Sequence, residues 1–468
     1  MDSIAYGLFK VKYLEILSSG HACPSCGQWA KRNSRGRRTI QEPDLEQPSF
    51  LMVHMSVCQC TNPDCPTHYF RIPLPFIAPR MRYSPEAVSY SVESVRRDGM
   101  PFCRVPERLA EDFHLYPVRS TVWGWHARSC EAIDLSKDYD PFVKATFSGV
   151  LCMDEVYEGP FCLIFSTDPI NDITVAYTLE TKASDQQRAG LCQAWLDRHL
   201  ARLEKIGIAP LAVIRDGAVI YDNGLPSDWD QQRCQFHLLQ DITKDVLKAV
   251  NAYRKSLPDP PKRSKGRPKE DAPPAPADIK TEIWHHRHLF VSRQKTIEQR
   301  DRTCGHERHS CCGQCETEIL TDLCDAHPSL GTIRRFMTDI YDLFSDDYAR
   351  VDQVQSRYQV LGQTPQYRDN VDLTRALAHL KGDALEKACL HLNYDNLPRT
   401  NNHAEGKARQ FRKGQKHHYK LRRSHTIDRA MKAEMMRQKQ RKQARGDPLV
   451  RLRKKADATP QEQLSKVA

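Results

Sequence analysis

Four short apolar runs between residues 149 and 214 restrict the fold of this chain more than any other feature. Gly149-Val150-Leu151-Cys152-Met153, Phe161-Cys162-Leu163-Ile164-Phe165 and Ile173-Thr174-Val175-Ala176-Tyr177 are separated by Gly, Pro, Asp and Asn. Leu211-Ala212-Val213-Ile214 follows a stretch with Leu191, Leu196, Leu200 and Leu203 at near-helical spacing. Strands that are largely apolar, rather than apolar at alternate residues, are covered on both faces. Three adjacent strands, a helix and a further strand therefore predict an α/β sheet flanked by helices. Beyond Asp228 the pattern turns helical, beginning with Leu238, Leu239, Ile242, Val246 and Val250. Seven prolines and mixed charge mark residues 256–278 as a linker or exposed loop, and a second helical region extends from about 280 to 390.

The chain has 468 residues, enough for two to four domains with a substantial core. No apolar run approaches the ~18–20 residues of a membrane helix. Lys10 and Lys12 interrupt the apolar residues of the N-terminus, which does not read as a secretory signal. Composition agrees with a soluble, rather polar protein, at 40% hydrophobic residues and a mean hydropathy of −0.64.

Charge is unevenly placed. From Arg399 to Lys455 there are 20 Lys and Arg against four acids, in a chain whose net charge is +11. The rest of the chain is thus slightly acidic, and a single basic tract on such a body is the electrostatic footprint of a polyanion partner, nucleic acid above all.

Seventeen cysteines, several in closely spaced pairs, occur without an export signal, a pattern that favours metal ligands over disulfides. Cys23-Pro24-Ser25-Cys26 is followed by Cys58, Cys60 and Cys65. Cys23, Cys26, Cys60 and Cys65 are the predicted ligands of a tetrahedral Zn²⁺, with Cys58 as the spare. Arg32, Arg35, Arg37 and Arg38 fall on the loop between the pairs, where a ribbon can offer them to phosphates. A second group, Cys304, His306, His309, Cys311, Cys312 and Cys315, has ligand chemistry but no diagnostic spacing, and reads equally as a metal site or as a polar loop.

Pro106–Phe113 predicts a helix, Leu115–Val118 a turn, and Ser120–Arg128 a second helix with a Ser or Thr cap. Two short helices about a tight turn make a helix-turn-helix, whose second helix enters the major groove.

Three carboxylates complete the pattern. Asp154 ends one apolar strand, Asp216 ends another, and Glu405 stands in Asn401-Asn402-His403-Ala404-Glu405 at the head of the basic tract. Strand-end carboxylates of an α/β sheet point into the crevice where ligands bind. Converging acids repel unless cations sit between them, and hard oxygen ligands suit Mg²⁺ or Mn²⁺. Two such ions activate an attacking hydroxyl and stabilise the leaving oxygen of a phosphodiester.

Asp154-Glu155, Asp216, Gln232-Arg233-Cys234-Gln235-Phe236-His237 and the 401–405 motif together resemble DDE transposases of prokaryotic insertion sequences. The subgroup concerned has an N-terminal zinc ribbon, a helix-turn-helix, and an α/β RNase H-like catalytic core interrupted by a helical insertion before the final Glu. The likeness covers the chain from Cys23 to about Ser424, and the 189 residues between Asp216 and Glu405 leave room for the insertion. It implies a zinc ribbon over 1–80, a helix-turn-helix over 81–140, the first part of the core over 141–228 and the insertion over 229–395. The last part of the core then covers 396–430, and a basic tail covers 431–468, read as a helix fraying into disorder.

By this resemblance Asp154, Asp216 and Glu405 form the metal-binding triad, and Cys234 with His237 match a C-x2-H element, structural or DNA-positioning. The implied reaction is hydrolysis of a phosphodiester at element ends, followed by transfer of the freed 3′-hydroxyl to target DNA. The partners are then double-stranded DNA, as terminal inverted repeats and target, and a second copy of the chain in a dimer or larger synaptic complex. The place of action is the cytoplasm, at the nucleoid. Candidate DNA contacts are Arg37, Arg38, Ser120, Thr121, Arg128, Arg409, Arg412, Lys413, Lys416, Lys420, Arg422 and Arg423. Lys262–Lys269 has no counterpart in the pattern and reads as a charged linker or a minor-groove arm. A non-catalytic regulator derived from such an enzyme and another RNase H-like nuclease acting on branched DNA are the competing expectations.

Overall fold

The computed structural model describes residues 3–6, 9–181, 192–259, 278–303, 315–417, 423–446 and 448–455; for 3–6 and 414–417 it describes the backbone alone. The chain divides into two compact units, Met1–Ala145 with Ala408–Asp447, and Thr146–Lys407 with Pro448–Ala468. Both mix helices and strands, and none of the described helices is long and apolar enough to cross a membrane.

The first unit opens with a six-stranded sheet of β1 (Ser3–Tyr6), β2 (Phe9–Ile16), β3 (Gly20–Ala22), β4 (Trp29–Glu42), β5 (Ser49–Gln59) and β6 (Tyr69–Arg71). Strand order is β1-β2-β5-β4-β3, with β6 also on β5; β2 and β5 are parallel and the other pairs antiparallel. This is more than a small ribbon, and its core is Ile40, Leu51, Val53, Met55, Ile72 and Leu74. Arg32, Arg35, Arg37 and Arg38, expected on a loop between the cysteine pairs, lie within β4. Its partner β5 supplies the apolar side chains, opposing Met55 to Gly36, Val53 to Arg38 and Leu51 to Ile40. Pairing with β3 stops at Lys31 and the next partner on that side is Tyr83, bridged at Gln41, so the stretch between is a sheet edge, and charged residues there oppose unwanted strand addition.

Three helices follow, α1 (Pro85–Arg96), α2 (Val105–Phe113) and α3 (Arg119–Glu131), then the short α4 (Leu135–Asp138) and α5 (Asp140–Thr146). Ser84 caps α1 by accepting from the Ala87 amide, with Pro85 and Glu86 in the first turn, where fixed φ and negative charge favour a helix start. His114 closes α2 in the left-handed region at φ 54°, its amide bonded to the carbonyls of the preceding turn. Val92, Val105, Leu109, Leu115, Val122 and Trp125 bury the faces that meet. The basic C-terminal region, read as a helix fraying into disorder, is helical over Ser424–Arg445; that helix packs on α3 and α1, with Ile427, Met431 and Met435 buried four residues apart, and residues 456–468 lie outside the described residues.

In the second unit β7 (Val150–Glu158), β8 (Phe161–Asp168) and β9 (Ile173–Thr181) form an antiparallel meander. Then come α6 (Gln193–Ile206), β10 (Ala212–Arg215), α7 (Val219–Gly224) and β11 (Asp230–Arg233), with β10 parallel to β7 and β11 parallel to β10. The order is β11-β10-β7-β8-β9. Strand β11 was not anticipated, since Asp230-Gln231-Gln232-Arg233 has no apolar residue. Tertiary bonding makes it a strand: buried Gln232 donates to the Ala388 carbonyl at 2.8 Å and accepts from the His391 amide at 2.8 Å.

The helical region comprises α8 (Gln235–Ser256), α9 (Ile279–His286), α10 (Gln294–Thr303), α11 (Glu316–Ala326), α12 (Pro328–Asp342), α13 (Val351–Gln363), α14 (Pro365–Arg368), α15 (Val371–Ala378) and α16 (Ala384–Ala388). Leu238, Ile242, Val246 and Val250 of α8 share one core with Phe290, Ile333, Phe336 and Leu373. The chain then enters α17 (Asn402–His417). Finally residues 448–455 return to the second unit. Asn171 exchanges hydrogen bonds with Val450 at 2.9 and 3.1 Å, Leu452 donates to the Ser148 carbonyl at 2.8 Å, and Arg453–Lys454 pairs with Tyr394–Asp395.

Candidate functional site

Strand β10 stops at Arg215, whereas β7, in register with it as far as Cys152 opposite Ile214, continues to Glu158. The carboxylates gather where the shorter strand ends. Asp154 therefore lies within β7, not at its end as the sequence suggested; its neighbours Val156 and Tyr157 continue to pair with β8. Asp216 directly follows β10, and Glu405 belongs to the first turn of α17.

These three acids feel one another. The Asp154 carboxyl is pushed up to about 6, mainly by burial and then by Asp216 and Glu405, against the Glu155 amide that donates to it at 2.9 Å. Among the described residues the buried Glu405 Oε1 has no hydrogen-bond partner, and His237 Nε2 stands 3.6 Å from it. His237 is raised to about 9, first by its hydrogen bond with Cys234, then by that thiol's charge, Glu405 and Asp216. Burial pushes the Cys234 thiol up, but hydrogen bonds from His237 and the Asn401 amide outweigh it, and the thiol titrates below its ordinary value.

Side chains around the acids fix the loop and strand that carry them. Arg215 is buried, donates to the Asp216 carbonyl at 2.9 Å and to Gln231 Oε1 at 3.1 and 3.2 Å, and pairs with Asp222. Asp216 accepts from the Ala218 amide at 2.9 Å. A side chain at Gly217 would meet the Arg233 guanidinium at 3.0 Å, so the loop passes this point most easily as glycine. Glu155 bonds the buried Tyr221 hydroxyl at 2.8 Å; burial, with the charges of Asp216 and Asp154, pushes its carboxyl up to about 7 despite that bond. Sequence reasoning did not assign roles to Arg215, Asn401 or the Glu155–Tyr221 pair; the signals available were Arg215 beside Asp216 and the places of Glu155 and Asn401 within the quoted motifs.

Three carboxylates with an unpartnered buried oxygen are a hard-donor set suited to Mg²⁺ or Mn²⁺. Among the described residues the oxygens of these three acids do not all lie within 4.8 Å of one another, so they form no closed cage in this structure.

The one compact ligand cluster among the described residues is Cys23, Cys26, Cys60 and Cys65, whose sulfurs lie within 4.8 Å of one another. Cys23 and Cys65 are 3.7 Å apart and Cys26 and Cys60 3.5 Å, near the ~3.8 Å edge of a tetrahedron with ~2.3 Å zinc–sulfur bonds. The Cys26 amide draws the Cys23 thiol down to about 7. Cys60 is pushed up to about 12 by burial and the neighbouring thiols, against the Asn62 amide. Four thiols so close cannot all ionise without a cation, and the cluster suits a structural metal such as zinc. Cys58 lies buried outside it.

The candidate DNA contacts are scattered. Arg37 is exposed on β4. Arg38 is not free for phosphate: half-buried, it donates to the carbonyls of Ala78, at 2.8 Å, and Met81. On α3, Ser120 and Arg128 are exposed and Thr121 half-buried, and Arg429 lies over the exposed Trp123 ring. Arg409, Arg412, Lys413 and Arg423 are exposed. Lys420, Arg422, Lys262–Lys269 and residues 304–314 lie outside the described residues, as does the side chain of Lys416. Compared with known proteins, the chain matches no family model and no curated protein.

Proposed function

We propose that this chain is a DDE-type DNA transposase, whose second unit is an RNase H-like core with a helical insertion and whose first unit binds element ends. The observation that carries the reading is the meeting of Asp154, Asp216 and Glu405, the last 189 residues beyond the second, at the end of one sheet. A meander of three antiparallel strands extended by two parallel ones supports the RNase H-like assignment. The α2–α3 pair about a tight turn and the exposed Arg128 support a helix-turn-helix, and the four-cysteine cluster a zinc-stapled module beside it.

In this reading Asp154, Asp216 and Glu405 hold Mg²⁺ or Mn²⁺. When bound, the metal would offset their repulsion and supply Lewis acidity at phosphorus, first for hydrolysis and then for strand transfer. Arg215 and the Ala218 amide keep the Asp216 loop in place, and His237 sets a positive charge beside Glu405. The exposed basic residues of the 409–423 stretch hold the DNA backbone, a contribution that weakens with salt.

The test is cleavage of labelled duplexes taken from both sides of the coding sequence, with purified full-length protein and Mg²⁺. Wild type cuts at inverted repeats; Asp154→Ala, Asp216→Ala and Glu405→Ala lose cleavage while binding the same duplexes. Absence of metal-dependent cleavage, or equal loss of binding in Asp216→Ala, refutes the assignment.

A further inference from the structure

Asn401 is fully buried and engages three elements at once. Its side-chain Nδ2 donates to the Met153 carbonyl at 2.8 Å, and its backbone amide donates to Cys234 Sγ at 3.2 Å. Its own carbonyl accepts from the Glu405 amide at 3.2 Å. Met153 immediately precedes Asp154 and is the first residue of β7 beyond the register shared with β10. Cys234 is the residue before α8, which carries His237 one turn in. One residue thus ties together the strand bearing Asp154, the helix bearing His237 and the helix bearing Glu405.

We propose that Asn401 is a positioning residue for the carboxylate centre, setting the first turn of α17 so that Glu405 faces Asp154. This rests on reading the three acids as ligands of a divalent cation. A helix advances about 100° per residue, so a first turn free to rotate by one position carries Glu405 out of the crevice. Residue 401 stands one turn before Glu405 and is hydrogen-bonded to it, so anchoring its side chain on β7 fixes that rotation. A second lock lies on the other side of the helix start. His403 bonds Thr167 Oγ1 at 2.9 Å and Asp172 at 3.0 Å, and Lys407 pairs with Asp172 at 2.7 Å. Thr167 in turn lies opposite Cys152 in the β7–β8 pair.

Stability alone does not explain Asn401. Among the described residues its buried Oδ1 has no hydrogen-bond partner, an uncompensated loss of hydration in a folded protein. Asparagine fills the position at that cost because it supplies a donor to Met153 without adding charge beside the acids.

The test needs no DNA. Mn²⁺ binding to the full-length protein is measured by calorimetry for wild type, Asn401→Leu, Glu405→Gln, the double variant and Asp216→Ala, with urea unfolding of each. Asn401→Leu is expected to weaken Mn²⁺ binding 10–100-fold, the range for partners that orient metal ligands. The double variant should bind no more weakly than Glu405→Gln alone, because Asn401 acts through Glu405. If Asn401→Leu does not fold, Asn401→Ser is read in the same way. Wild-type affinity in the folded Asn401 variant, or losses that simply multiply in the double variant, overturns the proposal. If wild type binds no Mn²⁺, or Asp216→Ala binds as well as wild type, the failure lies in the ion-site reading instead.

Discussion

Replacing Asp154 by Asn should make the metal-free protein more stable at neutral pH while removing its response to Mg²⁺. In the folded chain the Asp154 carboxyl titrates at about 6 instead of its ordinary 3.8. The folded state therefore holds this proton more tightly than the unfolded state and loses stability as pH rises from about 4 through 6. Two units at 1.36 kcal/mol each make the ionised carboxylate cost about 3 kcal/mol above pH 7. Asp154→Asn escapes that cost. Below about pH 4 the aspartate is neutral in both states and the two proteins converge. The assay compares thermal and urea unfolding of both proteins in Mg²⁺-free buffer from pH 4 to 8. The sequence of the first unit is common to both, so its own pH dependence cancels. A gain of several degrees in Tm is expected at pH 7.5, shrinking steadily towards pH 4. On the proposed reading, added Mg²⁺ should raise the Tm of wild type, through an ion held only by its folded form, and leave the variant unmoved. A variant less stable than wild type at pH 7.5, or a gain that does not depend on pH, would show that the Asp154 carboxyl is not raised by its burial and its acidic neighbours.

Three further outcomes test other parts of the molecule. Cys23→Ser should lower the zinc content of the purified protein from one ion per chain to near zero, as read by metal analysis, and should unfold the Cys23–Cys65 end of the first sheet. Wild type should show the same unfolding on treatment with a strong chelator. Arg215→Met leaves the Asp216 carbonyl and Gln231 without their donor and should cost roughly 1–3 kcal/mol in urea unfolding, as expected for buried acceptors left unpaired; a loss below ~0.5 kcal/mol rejects that role. Arg37→Ala should weaken DNA binding and flatten its salt dependence with little change in stability. Arg38→Ala should do the reverse, lowering the unfolding midpoint through loss of its bonds to Ala78 and Met81.

Much of the second unit was legible because its strands are apolar along their length. Val150–Met153, Phe161–Phe165, Ile173–Tyr177 and Leu211–Ile214 all lie within strands or begin next to one. Strand β11 was not, because it is held by Gln232 and by pairing to β10 rather than by burial of its own apolar groups. The same blindness hid β4, whose cations are tolerated by the apolar strand beside it. At the site, residue type and strand ends pointed to Asp154 and Asp216. The seating of Glu405, in contrast, depends on Asn401 and on His403 with Asp172, contacts spanning more than two hundred residues that no local pattern reveals. The helix at Ser424–Arg445 was half visible, since charge marked it as polar while Ile427, Met431 and Met435 already traced a buried stripe.

The segment 448–455 fastens onto Ser148, Asn171 and the Tyr394–Asp395 strand, all of them far earlier in the chain. During synthesis the five strands can pair as soon as β11 has left the ribosome, but the turn at Asn171 and the chain before β7 at Ser148 lack these partners until this last stretch arrives. A nascent chain stopped anywhere before Pro448 thus lacks the strap that closes Asn171. Chains truncated there should be cut by added protease faster than the full-length protein.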